Sequence, residues 1–346
     1  MAHIIHQWQS IVNNYRHGAL LLGNGASMAV SRNFGYASLL EHVRQNHLFE
    51  EDVQTLFSRF ETDDFELILR LVWQAARVNK ALAIQDRRTR QAYLNVRNCL
   101  IQAVRDIHPA YEEVSKHLPH MHSFLKQFNT VLSLNYDLLV YWAMMHDFDM
   151  QRSHIFKDCF KSGSFAENWR VYRDRISEQT NTLVFYPHGN LALCRDITEQ
   201  EYKISGGGNA LLNEILDLWA SETYVPLFVS EGTLQQKIRS IQSSFYLSTV
   251  YREVLKTPRI KLTIFGWAMG EQDLHILQNL RGTSINRIAV SVFGKDQAYC
   301  NRIYETIQQY LGAVIVEFFD CESPGSWIHP GTPVNTHRFS QGSQRF

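Results

Sequence analysis

The stretch that decides the fold is Ala19-Leu20-Leu21-Leu22-Gly23-Asn24-Gly25-Ala26-Ser27. An apolar run closed by Gly-Asn-Gly reads as a buried parallel strand running into a tight turn. Gly23 and Gly25 permit backbone angles closed to other residues, and they let phosphate oxygens approach the main chain. A helix starting near Ser27 points unpaired N–H groups, and the positive end of its dipole, at a pyrophosphate. Taken alone, the segment reads equally as a plain strand-to-helix turn. Its spacing is not the dinucleotide GxGxxG, because Met28 stands three residues after Gly25.

Three later segments end apolar runs in the same way: Ser133-Leu134-Asn135-Tyr136-Asp137, Tyr186-Pro187-His188-Gly189, and Phe265-Gly266-Trp267-Ala268 with Asp273 just beyond. In an open α/β sheet, ligands bind outside the carboxyl ends of the strands. Asn135 offers a donor and an acceptor, and Asp137 can accept from two ribose hydroxyls. The same pair also suits an Asx cap on a helix over 138–145. His188 between a proline and a glycine has the chemistry of a general base near neutral pH, although a lone histidine is commonly structural. Gly266 sits where backbone can touch a ligand, with Trp267 beside it. Asp273 suits a cap on the next helix.

Around these segments the chain alternates between strands and helices. Further strands are expected at Thr130 to Asn135, Thr182 to Tyr186, Val225 to Ser230, Lys261 to Phe265, Ile288 to Phe293 and Ala313 to Phe319. The last three follow a βαβ rhythm. Residues from about 36 to 128 read as helical. Asp63 and Glu66 form a capping box, and Leu67, Ile68, Leu71, Val72, Ala75 and Val78 recur at helical spacing. The expected architecture is α/β: a Rossmann-like parallel sheet of about six to seven strands flanked by helices, with a helical insertion after the first strand. One domain covers residues 1–323, and a flexible Gly/Pro/Ser/Thr-rich tail covers 324–346.

Bulk properties exclude several classes. The chain has 346 residues, 45% hydrophobic and 20% charged, with 34 basic and 34 acidic side chains. No long basic run is present, so nucleic acid is not indicated. The five cysteines form no CxxC pair, which removes support for a cysteine zinc site and suits reduced thiols in a cytoplasm. The first eighteen residues lack the apolar core of a signal peptide, and no apolar run is long enough to span a bilayer. His117-x-x-His120-x-His122 is interrupted by Pro119 and has no carboxylate at ligand spacing, so no metal is expected.

The four polar segments, in this order, resemble the sirtuin-like superfamily, and within it the zinc-free sirtuin-like NAD hydrolases of bacterial anti-phage defence. Asn135-Tyr136-Asp137 stands where the deacylases carry Asn-Ile-Asp, and no zinc cysteines are present. Val225-Pro226-Leu227-Phe228-Val229-Ser230-Glu231-Gly232-Thr233, with Lys237 and Ser248, is similar to the same group. The likeness runs from about Ala19 to Phe293. Asn24 replaces a usual alanine, Ala268 replaces a small hydroxyl residue, and Asn33-Phe34-Gly35-Tyr36 stands where deacylases carry Pro-Asp-Phe-Arg.

The resemblance implies NAD+ as substrate, cleaved to nicotinamide and ADP-ribose in a cytoplasmic defence role, with no metal. It implies that Gly23, Asn24, Gly25, Ala26 and Ser27 hold the pyrophosphate, and that Gly266, with Trp267, meets the adenosine side. Asn135 and Asp137 hold the nicotinamide ribose and a water, and His188 is the base. Activation then comes from a homo-oligomer, a protein partner or the insertion. The alternative reading is a catalytically silent nucleotide-binding or assembly subunit of a defence complex.

Overall fold

Ala19–Leu22 is buried at every position and lies at the middle of the molecule. The computed structural model describes residues 2–35, 39–146, 154–173, 180–229, 231–257 and 260–331. Thirteen strands run in chain order: β1 (Ile5–His6), β2 (Ala19–Leu22), β3 (Thr130–Ser133), β4 (His154–Lys157), β5 (Phe160–Lys161), β6 (Ser164–Phe165), β7 (Thr180–Phe185), β8 (Gly189–Arg195), β9 (Glu201–Lys203), β10 (Val225–Phe228), β11 (Ile260–Phe265), β12 (Ile285–Val292) and β13 (Ile315–Asp320). Eight of them form one sheet in the order β1-β13-β12-β11-β2-β3-β7-β4, and every pairing in it is parallel. Helices flank it, which makes this a Rossmann-like α/β fold.

The sheet therefore has eight strands rather than six to seven. Its edges account for the difference. β1 is two residues long, and β4, His-Ile-Phe-Lys, is half polar and only partly buried beyond His154. Short, polar edge strands leave little hydrophobic signal and are a common protection against edge-to-edge pairing. Val225–Phe228 does form a strand, but it pairs antiparallel with β8 in a separate sheet ordered β10-β8-β9.

From β2 the chain builds outward through β3 on one side. It later returns to lay β11, β12 and β13 on the other. The reversal lies between β2 and β11, and such a switch point leaves a crevice at the carboxyl ends of the strands.

Between β2 and β3 the chain forms the expected helical insertion, including the paired helices Phe65–Ala81 and Arg87–Ile107. Their apolar faces belong to the same hydrophobic core as the sheet. The first of these helices is capped by Asp64, one residue later than expected. Its carboxylate accepts from Leu67 N at 3.1 Å and from Ser240 Oγ at 2.8 Å, which ties the insertion to the helix Leu234–Gln242. Pro119 does not break its helix. It occupies the first turn of Leu118–Leu125, where its missing N–H costs nothing.

The segment after Ser323 is not loose as far as residue 331. Trp327 is 1% exposed and donates from Nε1 to the Ala26 carbonyl at 2.8 Å. Burial of that indole outweighs the polar, glycine-rich composition around it. Tyr36, Ser230 and the expected tail beyond residue 331 lie outside the described residues. Among the described residues, no helix is long and apolar enough to cross a membrane.

Candidate functional site

The turn after β2 and the turn after β11 interlock. Gly23 N donates to Phe265 O at 2.9 Å, and Gly25 N donates to Gly266 O at 2.7 Å. A Cβ on Gly23 would sit 2.6 Å from Trp267 Cα. One on Gly266, whose φ is +67°, would sit 2.3 Å from Ala26 N. These glycines are therefore required by the approach of one backbone to another. The helix begins at Asn24, earlier than expected, and runs to Val30.

Above this junction opens a cavity of about 1050 Å³. It is lined by Gly23, Asn24, Gly25, Asn135, Asp137, His188, Gly266 and Trp267, so all four polar segments meet at the switch point. Ala26 and Ser27 are not in the wall. They lie just beneath it, 0% and 1% exposed, and Ser27 acts through its hydroxyl on the residues above.

Asn135 uses both amide hydrogens on the protein: Nδ2 donates to Gly23 O at 3.0 Å and to Ser27 Oγ at 2.7 Å. Its Oδ1 is left to accept. Asp137 takes the Asx-cap position that its sequence also suited. Its carboxylate accepts from Ser27 Oγ through one oxygen and from Leu139 N at 2.9 Å through the other, so it caps the helix Leu139–Met145 and fixes Ser27. Burial pushes its pKa up to about 6, against the pull of the Ser27 and Leu139 hydrogen bonds.

His188 stands where the chain leaves the main sheet for the small one. Gly189 follows with φ +79°, and a Cβ there would meet Leu227 O at 2.3 Å. Tyr186 N donates to Tyr246 Oη at 2.9 Å, and Val229 N donates to His188 O at 2.7 Å, so the turn is held from both sides. His188 is 3% exposed, and burial pushes its pKa down to about 3.

Its Nε2 lies 3.1 Å from Nε2 of His275, whose pKa burial lowers to about 4. Asp273 stands beside both rings. Burial opposes its charged form, but His188 and Lys237 more than offset this and hold its pKa low. Lys237 Nζ donates to Asp273 Oδ1 at 2.8 Å. Asp273 thus makes an ion pair rather than the expected helix cap. His275 and this ion pair carried no signal in the sequence, because their partner His188 lies 87 positions from His275. Arg32 also lines the cavity, as an exposed cation at its rim.

The fold and cavity define a Rossmann-like α/β protein with a crevice at its switch point. The chain belongs to the family described as a domain of unknown function, DUF4917, whose model matches residues 20–327. No curated protein matches it.

Proposed function

We propose that this chain is an NAD+ glycohydrolase that releases nicotinamide and ADP-ribose, and that it serves anti-phage defence by depleting NAD+. The observation that carries the reading is the convergence of Asn135 and His188 on one cavity at the β2–β11 switch point. A volume of about 1050 Å³ is enough for a dinucleotide. The resemblance of the four segments to the zinc-free sirtuin-like hydrolases supplies the chemistry.

Breaking the nicotinamide–ribose bond develops positive charge on C1′, as in glycoside hydrolysis. The amide oxygen of Asn135 faces that charge and orients the attacking water. Asp137 holds Ser27 and Asn135 in register beneath it, and its buried carboxylate adds negative potential without direct contact. His188, neutral throughout the working pH range, accepts the water's proton. The turn Gly23 to Ser27, with Arg32 at the rim, takes the pyrophosphate, and Gly266 with Trp267 takes the adenosine side. Turnover uses no metal. Activation comes from self-association or a protein partner, in the cytoplasm.

The test is nicotinamide release from NAD+ by the purified chain, alone and with candidate activators, in the presence of a strong chelator. Release that persists in chelator supports the reading. NAD+ binding without release, in every activated state, reassigns the chain to a catalytically silent nucleotide-binding subunit.

A further inference from the structure

A second constellation lies against the nucleotide crevice. His188 Nε2 and His275 Nε2 are 3.1 Å apart, and with a carboxylate oxygen of Asp273 they form a group whose atoms all lie within 4.8 Å of one another. Both rings are buried, at 3% and 0% exposure. Nδ1 of His275 faces the Gln272 carbonyl at 3.2 Å, and the backbone of Leu134 accepts a hydrogen bond from His188. A neutral imidazole has one proton, so a ring that donates through one nitrogen presents a lone pair at the other. With no ion present, the 3.1 Å contact is a hydrogen bond in which the tautomer decides which Nε2 donates, and once both Nε2 atoms are proton-free their lone pairs share one small space. A divalent cation that displaces the shared proton takes both lone pairs at once, with Asp273 as the third donor.

We propose that His188, His275 and Asp273 bind one zinc-class divalent cation. Two imidazoles and a carboxylate are donors suited to zinc and its first-row neighbours. Tetrahedral ligands about 2.0–2.1 Å from zinc stand roughly 3.3 Å apart, close to the separation of the two nitrogens. Backbone carbonyls on the far side of the rings are the usual outer shell for such histidines. Lys237 occupies Oδ1 of Asp273 and leaves the other oxygen for the metal. His188 and Asp273 both line the cavity, so the fourth position opens onto it. The same wall carries the carboxylates Glu231, Asp296 and Glu322 as well as the cations Arg32 and Lys237. Among the described residues no other group of three such side chains converges. His122, from the histidine-rich stretch, instead directs Nδ1 at the Ala143 carbonyl, 2.8 Å away.

The consequence for activity rests on the NAD+ reading. A cation on His188 occupies the lone pair that the base needs, so the loaded site is an off state of the hydrolase.

The full chain, stripped with chelator, is titrated with Co2+ and followed by visible absorption, and with Zn2+ by calorimetry. We expect one equivalent, with the intense bands of four-coordinate cobalt. His275→Ala and Asp273→Asn should each weaken binding at least about tenfold, with circular dichroism confirming the fold, and His120→Ala should bind like wild type. No binding by the wild-type chain, the weak bands of a six-coordinate surface ion, or undiminished affinity in both site variants each overturns the proposal. The cobalt spectrum needs only the wild-type protein, so the test survives if a variant fails to fold. In an active preparation, saturating Zn2+ should abolish nicotinamide release and chelator should restore it. Turnover indifferent to bound zinc removes the off state. Stoichiometric binding in a chain that never releases nicotinamide leaves the metal site standing and removes the hydrolase reading.

Discussion

Asn135 and Asp137 stand two positions apart and do different work. Asn135 braces Gly23 and Ser27 with its amide hydrogens and keeps an oxygen for the cavity. Asn135→Ala is expected to leave less than about a tenth of the wild-type nicotinamide-release rate. It should also lower stability by about 1–3 kcal/mol, because the carbonyl of Gly23 and the Ser27 hydroxyl lose a buried donor. Retained turnover would remove the water-positioning role. The pH behaviour also changes once burial is known. From sequence, His188 is expected to set an acidic limb in the rate, displaced from the ordinary pKa of about 6.5 in a direction that depends on whether burial or a nearby carboxylate dominates. Burial moves that titration down to about 3 and makes Asp137, raised to about 6, a group of this cavity that titrates near working pH. Ionising Asp137 is harder in the folded chain than in the unfolded one, where its pKa is 3.8. Its contribution to stability is therefore complete below about pH 4 and is lost as pH rises through about 6. Asp137→Asn should match wild type in urea unfolding near pH 4 and exceed it above pH 7, by an amount on the order of 3 kcal/mol. A gap between the two proteins that does not vary with pH would contradict the burial argument.

Two loops make the floor of the crevice, and each is held by backbone hydrogen bonds to the other. Both Gly-rich turns are visible in the sequence, and the strands that lead into them are legible from their apolar runs. The reason for the glycines is not legible, because the atoms that exclude a side chain at Gly23 belong to Trp267, 244 positions away, and those at Gly266 belong to Gly25 and Ala26. Gly266→Ala combines a positive φ with a contact of 2.3 Å to backbone. Overpacking of that kind costs typically about 1–3 kcal/mol and a strained φ a further 1–3 or so. Thermal unfolding is the check, and a melting point within error of wild type would mean that the turns separate easily. The capped helix Phe65–Ala81 teaches a smaller version of the same lesson. Its existence follows from apolar spacing, but the choice of Asp64 over Asp63 as cap goes with Ser240, which donates to the Asp64 carboxylate from another element.

The whole molecule closes on itself through its C-terminal segment. Trp327 packs against Phe124 and Phe265 and bonds Ala26, so the last described residues buttress the turn that begins the site. Trp327→Ala is expected to cost about 3–5 kcal/mol, the range for emptying a large buried aromatic. Denaturant unfolding measures it, and a loss under about 1 kcal/mol would show that the segment is dispensable. If the loss is large, NAD+ affinity should fall with it, because Trp327 and His329 also line the cavity.

Local chemistry along the chain determined the α/β class, the positions of the central strands, the helical insertion and the four polar strand ends. Each depends on residues within a turn or two of one another: apolar runs, helical spacing, and glycine or proline at their ends. Tertiary structure alone decided the eight-strand count, the removal of Val225–Phe228 to a separate sheet, the packing of Trp327, and the meeting of His188 with His275, Asp273 and Lys237. Those outcomes arise where distant segments share an edge, a void or a charge. No periodicity in the chain encodes which ring will face another, or how deeply burial will shift its proton.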